Sequence, residues 1–115
     1  MKFKIIHRNI REHGDLTDYI EHRLSFAFAR MRHEVDSATL TLSDINGPKG
    51  GIDKQCQMVI RASGLRPLVI TEKRDHLRQA IDRCLHRASQ SLSRKLKRKQ
   101  LRLRKTPRRA LASPA

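Results

Sequence analysis

A chain of 115 residues has room for one domain with a usable core, and only four aromatic side chains are present to fill that core. The 26 Lys and Arg residues outnumber the 11 Asp and Glu residues, which gives a formal net charge of +15 at pH 7. The sequence shows no signal peptide and no apolar run of membrane-spanning length, which argues against a secreted or membrane protein. The expected location is therefore the reducing cytoplasm, where Cys56 and Cys84 would be free core residues.

The first part of the chain predicts a strand, a helix and a second strand. Residues 2–7 read as a strand with Phe3 and Ile5 on one face. A helix is predicted over residues 15–33, because its apolar side chains recur at the spacing of one buried face: Leu16, Ile20, Leu24, Ala27, Phe28 and Met31. Residues 37–43 alternate apolar and polar side chains, which is the pattern of a half-buried strand.

The middle of the chain predicts two further strands joined by short connections. The segment 44–53 is dense in turn-forming residues and is predicted to be a loop. Residues 54–62 alternate again and predict the third strand, and the fourth strand is predicted over residues 68–72 after a tight turn at residues 64–67.

A long final helix follows, beginning near Asp75. One stripe of it is apolar and should face the sheet: Leu77, Ala80, Ile81, Cys84, Leu85, Ala88, Leu92 and Leu96. Thr106 and Pro107 should end any helix, because proline lacks the backbone donor that a helix interior requires. We therefore expect one domain over residues 1–98 and a basic, disordered tail over residues 99–115.

The order of these elements predicts the fold class. A β-α-β-β-β-α chain with short connections between its later strands should form a four-stranded sheet whose last three strands make an antiparallel meander. Both helices would cover one face of that sheet. The result is an α+β sandwich of two layers, similar to double-stranded-RNA-binding domains with an additional first strand.

The positive charge is concentrated at the end of the chain. The first 82 residues carry 14 basic and 11 acidic side chains, whereas the last 33 residues carry 12 basic and no acidic ones. Basic residues cover most of the exposed arc of the last helix: Arg74, Arg78, Arg83, Arg87, Arg94, Lys95, Lys97, Arg98 and Lys99. Like charges four residues apart destabilise a helix, so this arrangement favours a polyanionic partner over a merely soluble surface. Nucleic acid is favoured over a membrane surface, because the opposite face lacks the bulky aromatic anchors of an interfacial helix.

No pattern in the sequence supports catalysis or a cofactor. The six histidines do not combine with the two cysteines at metal-ligand spacing, so no metal site is predicted. The glycine-rich loop 46–51 lacks the ending of a phosphate-binding loop, and it is interpreted as a wide hairpin connection or as a place where Lys49 and Lys54 touch RNA. No nucleophile–base set or carboxylate pair is evident. We therefore expect no enzyme, no cofactor and no small-molecule substrate.

Several short patterns resemble the ribosome hibernation-promoting factor family, also called the ribosome-associated inhibitor or sigma-54 modulation family, in its short form. They are Leu16-x-x-Tyr19-Ile20-x-x-Arg23-Leu24, the loop Asp44-Ile45-Asn46-Gly47, and Ala80-Ile81-Asp82 followed by Arg87 and Leu92. The resemblance covers about residues 1–97 and depends on the order and spacing of the pieces together with the basic last helix.

The resemblance implies a translation inhibitor that acts in stationary phase or stress. Such a protein binds ribosomal RNA in the decoding channel of the small ribosomal subunit and occludes the sites of messenger and transfer RNA. The family's RNA-facing positions match Arg23, Arg87 and Arg94. With their basic neighbours, the predicted RNA-binding set is Arg23, Arg30, Arg78, Arg83, Arg87, Arg94, Lys95, Lys97 and Arg98.

The sequence also departs from the family. The stretch Arg74-Asp75-His76-Leu77 lacks the tyrosine that many members carry there, and the tail is basic where one branch has an acidic one. The protein is expected to be monomeric when free, and its effect on ribosome pairing stays open. Two other functions remain possible from the sequence: a general RNA- or DNA-binding module without ribosome specificity, such as an RNA chaperone, and a regulator that docks on another protein.

Overall fold

The structure is a computed structural model that describes residues 2–8, 10, 14–45 and 54–112, with side chains described to residue 102. The elements follow one another as β1 (Lys2–Arg8), α1 (Gly14–Ala27), a 3-10 helix (Ala29–Glu34), β2 (Val35–Asp44), β3 (Lys54–Ala62), β4 (Leu68–Arg74) and α2 (Leu77–Ala112). This order confirms the predicted β-α-β-β-β-α arrangement. The glycine-rich loop 46–51 lies outside the described residues.

The four strands form one sheet in the order β1-β2-β3-β4. β1 and β2 are parallel, because α1 carries the chain back over the sheet between them. β2, β3 and β4 are antiparallel neighbours, which confirms the predicted meander. A bulge between Val35 and Ser37 interrupts the register at the start of β2.

The core lies between the sheet and both helices. Inward-facing side chains of neighbouring strands lie opposite each other: Leu40 lies opposite Met58, and Leu42 lies opposite Cys56. The buried stripes of α1 and α2 join these residues in one cluster, so both helices cover the same face of the sheet, as predicted. Both cysteines are free and buried in this core.

The predicted first helix is divided in two. The α-helix ends at Ala27, and a 3-10 helix takes over after Phe28, whose backbone leaves the helical region at φ −110° and ψ 15°. The Phe28 side chain is 1% exposed and holds this corner in the core. The prediction of one continuous helix to His33 is therefore wrong. The 3-10 helix leads the chain into β2, and it spaces its apolar residues almost as an α-helix does, so the sequence pattern did not reveal the change.

The last helix is longer than predicted. It runs for 36 residues from Leu77 to Ala112, and the molecule is accordingly 69 Å long. Among its residues with described side chains, which end at residue 102, the last buried one is Leu96, so the turns after it extend beyond the sheet. The predicted end at Thr106 and Pro107 is wrong: the proline removes one backbone donor, but strong helix formers surround it. The division into a domain and a basic tail stays a prediction.

Candidate nucleic-acid interface

α1 and α2 lie side by side, and a groove runs between them on the side facing away from the sheet. Neighbouring depressions share Ala27, Met31, Ser89 and Ser93 on their floors, which makes them one continuous feature, here called the interhelical groove. Four residues of the predicted RNA-binding set line this groove: Arg23, Arg30, Arg94 and Lys97. Arg78 lines a separate depression near the start of α2. The structure therefore brings residues from both helices together on one surface.

A small polar network ties the two helices together at the groove. The Tyr19 hydroxyl donates a hydrogen bond to an Asp82 carboxylate oxygen at 2.6 Å, and Arg23 Nε lies 3.3 Å from the same oxygen. The Arg78 guanidinium lies over the Tyr19 ring, 4.7 Å from its centroid. The bond to Asp82, partial burial and the charge of Asp82 raise the pKa of Tyr19, against the opposing charges of Arg23 and Arg78. The network fixes Arg23 at the rim of the groove.

Arg87 points away from this groove toward β4. Its guanidinium donates to Glu72 at 2.6 Å and to the Thr71 carbonyl oxygen at 3.2 Å. Glu72 is also paired with Arg74 at 3.1 Å, and its side chain is only 7% exposed. Arg87 thus compensates a buried carboxylate, which is a structural role that its position in the sequence did not reveal.

The sequence did contain a signal for this buried acid. Glu72 continues the inward alternation of Leu68 and Ile70, so it occupies a core-facing position of β4. An acid at such a position requires a cationic partner on the element packed against it.

A second group of basic residues surrounds the turn between β3 and β4. Lys95 and Arg98 of the predicted set line a cavity of about 440 Å³ there, together with Arg66 and Arg102, which the prediction did not include. Lys99 Nζ donates to the Ser63 carbonyl oxygen at 2.6 Å. We call Arg66, Lys95, Arg98, Lys99 and Arg102 the turn cluster.

The nine predicted residues are thus distributed over distinct surfaces. Four line the interhelical groove, Arg78 lies over the Tyr19 ring near the start of α2, and Lys95 and Arg98 belong to the turn cluster. Arg87 pairs with Glu72, and Arg83 is exposed elsewhere on α2. In the described part of the chain, Arg94 and Lys97 have no acidic side chain within ion-pairing distance, so their charges are available to a ligand.

The described residues offer little for other chemistry. Among them, no three His, Cys, Asp or Glu side chains come together in a way that would hold a metal ion. Within the same residues, no helix is long and apolar enough to cross a membrane. Lys54, which the sequence offered as an RNA contact, pairs with Asp44 at 3.0 Å, and Lys49 lies outside the described residues.

Comparison with known proteins supports the fold. No protein-family model and no curated protein matches the sequence. The N-terminal domain of Protein Y from Thermus thermophilus superposes with a TM-score of 0.67 at 24% identity, over 82% of this chain and 98% of that domain. A ribosomal subunit interface protein from Coxiella burnetii superposes with a TM-score of 0.69 at 16% identity, over 84% of this chain and 99% of that one. At these identities the likeness confirms the predicted fold.

Proposed function

We propose that this protein binds the small ribosomal subunit through ribosomal RNA and inhibits translation by occupying the sites of messenger and transfer RNA. The observation that carries the proposal is a cation-lined groove between the helices, on a fold shared with a protein described as a ribosomal subunit interface protein. The protein would act in the cytoplasm during stress or stationary phase, as a monomer and without catalysis.

The groove suits RNA because of its charge and its concave shape. Arg94 and Lys97 on α2 and Arg30 on the other side place cations along both rims of this surface. Such contacts to phosphates position a protein on RNA, while the shape of the folded RNA selects the place. The turn cluster lies elsewhere on α2 and would contact a separate stretch of backbone. Occlusion then requires only that the bound domain fills space.

The proposal is tested by reversing two charges at the groove. The variant Arg94→Glu with Lys97→Glu removes exposed cations that make no ion pair among the described residues, so the fold should be retained. The matched control is Arg61→Glu with Lys73→Glu, which makes the same charge change on the exposed face of the sheet. Sedimentation with purified small subunits, with free RNA as competitor, and translation in vitro are the measurements.

We expect the groove variant to lose small-subunit binding and translation inhibition, and the control to keep both. The dependence of log affinity on log salt should be shallower by about two in the groove variant, roughly one for each phosphate that the variant no longer neutralises. If both variants bind small subunits equally well, the groove is not part of the RNA interface. Binding that free RNA competes away completely would instead favour a general nucleic-acid-binding module.

A further inference from the structure

The Phe26 side chain is exposed to solvent on the basic surface beside the interhelical groove. Phe26 on α1 is 79% exposed, whereas the next phenylalanine, Phe28, is 1% exposed. A single exposed apolar residue is ordinary by itself. Phe26, however, follows Arg23 by three residues on α1, so both lie on the same side of that helix. Arg30, in the 3-10 helix that follows, lines the same groove farther along.

The ring borders a depression in the floor of the interhelical groove. This depression has a volume of about 260 Å³ and is lined by Arg23, Phe26, Ala27, Leu85, His86 and Ser89. Its walls combine an aromatic ring and aliphatic carbon with an imidazole and a hydroxyl group. Its rim carries a guanidinium group that Asp82 holds in place at 3.3 Å.

We propose that Phe26 stacks on an unpaired base of the bound RNA, with Arg23 and Arg30 holding the neighbouring phosphates. An aromatic face beside cations is the arrangement with which proteins bind splayed-out bases, because each nucleotide presents a flat ring and a charge within one short unit. An apolar protein partner would cover the same ring but bring no counter-charge for the Arg30 guanidinium and none for Arg23 beyond Asp82. The inference rests on the proposed function, since it names the part of the RNA that the groove holds.

The first experiment separates stacking from simple apolar contact. Small-subunit affinity is measured for Phe26→Tyr, Phe26→Leu and Phe26→Ala, with circular dichroism to show that each variant is folded. Stacking predicts that Tyr preserves the affinity while Leu and Ala weaken it roughly 5- to 150-fold, the range that corresponds to the loss of one stacked base. An unchanged slope of log affinity against log salt should accompany the loss, because no ionic contact is removed.

The second experiment places a reporter at the ring. The sequence contains no tryptophan, so Phe26→Trp creates a single tryptophan whose emission can be excited apart from that of Tyr19, and Val69→Trp does the same on the exposed face of the sheet. Titration with protein-free small-subunit ribosomal RNA should quench the emission of the first variant and leave that of the second unchanged after correction for absorbance.

The outcomes distinguish the two proposals. If the unsubstituted protein fails to bind small subunits, the proposed function is wrong and the stacking inference falls with it. If the unsubstituted protein binds and the variants Phe26→Leu and Phe26→Ala bind equally well, only the stacking inference is overturned. The same holds if the emission of Phe26→Trp is not quenched at saturating RNA. If Phe26→Leu keeps the affinity and Phe26→Ala loses it, the ring makes an apolar contact and does not stack on a base.

Discussion

Arg87 and Glu72 form a 2.6 Å ion pair that joins the last helix to the edge strand of the sheet. The carboxylate is nearly buried, and the guanidinium is half exposed. A basic residue that the sequence places among the RNA contacts therefore has a partner within the protein. Charge reversal at Arg87 would change stability and RNA binding together, so it cannot test the interface by itself.

We expect Arg87→Ala to destabilise the fold by about 1–3 kcal/mol, the usual cost of leaving a buried hydrogen-bonding group without its partner. Arg74 remains beside Glu72 and limits the loss. Arg87→Glu should be worse, because it places a second carboxylate beside the first. Urea unfolding followed by circular dichroism measures both effects.

A matched control for this prediction is Arg83→Ala, on the same helix and exposed, which should change the stability by no more than about 0.5 kcal/mol. Adding Glu72→Gln to Arg87→Ala should recover part of the loss, because the uncompensated charge is removed. Equal stability of the two alanine variants would show that the pair contributes nothing measurable.

Tyr19 provides a pH-dependent prediction. It is the only tyrosine in the chain, so absorbance near 295 nm follows its ionisation alone. Because folding raises the pKa of Tyr19 through its bond to Asp82, the titration midpoint should lie above that of an unfolded tyrosine. The contact stabilises the fold fully below the unfolded pKa, and this contribution is lost as pH rises through the folded pKa.

In Asp82→Asn the midpoint should fall, because the charged acceptor is gone while Arg23 and Arg78 still favour the phenolate. Tyr19→Phe should remove this alkaline step from the stability profile altogether. A midpoint that is the same in the parent protein and in Asp82→Asn would contradict the contact.

Periodicity was sufficient to predict the order of the elements and the inward faces. Leu40 and Leu42 alternate as a half-buried strand must, and the stripe from Ala80 to Leu96 keeps the helical spacing throughout. The break at Phe28 was missed because an α-helix and a 3-10 helix place apolar residues at nearly the same intervals over one turn.

The division of the basic residues could not be predicted from the sequence. Arg87 and Arg94 are seven residues apart and project from α2 in nearly the same direction. Glu72 draws Arg87 toward β4, whereas Arg94 borders the groove. The direction that a long side chain takes depends on an acid in another element, and helix spacing contains no information about it.

Gly64 provides a prediction about the β3–β4 turn. Its φ of 77° is a conformation that other residues rarely adopt, and a Cβ atom there would lie 2.7 Å from Lys99 Nζ. We expect Gly64→Ala to destabilise the protein by about 1 kcal/mol through backbone strain. It should also displace Lys99 from the Ser63 carbonyl oxygen. Thermal and urea unfolding measure the first effect.

The control for this prediction is Gly14→Ala at the start of α1, where an added Cβ meets nothing within 4 Å. This change should be neutral or should stabilise the protein by up to about 1 kcal/mol, because alanine favours the helix. Equal effects of the two substitutions would contradict the turn geometry.

The two cysteines give the last prediction. Cys56 on β3 and Cys84 on α2 are both 0% exposed, and Cys84 Sγ donates to the Ile70 carbonyl oxygen at 3.6 Å. A hydrogen bond with Cys84 and burial raise the pKa of the Cys56 thiol far above its ordinary range. Because the thiolate is the reactive form, we expect no reaction with a disulfide reagent at pH 8 in the native protein and two equivalents in urea.

Ser25→Cys is the positive control, since residue 25 is exposed on α1 and its thiol should react at once in the folded protein. In that variant Cys56 and Cys84 should still react with the disulfide reagent only after urea is added. The reaction rate then reports opening of the interface between β3 and α2, so it should rise in Arg87→Ala, which loosens the same helix from β4. Rapid labelling of the unsubstituted native protein would contradict the packing of this core.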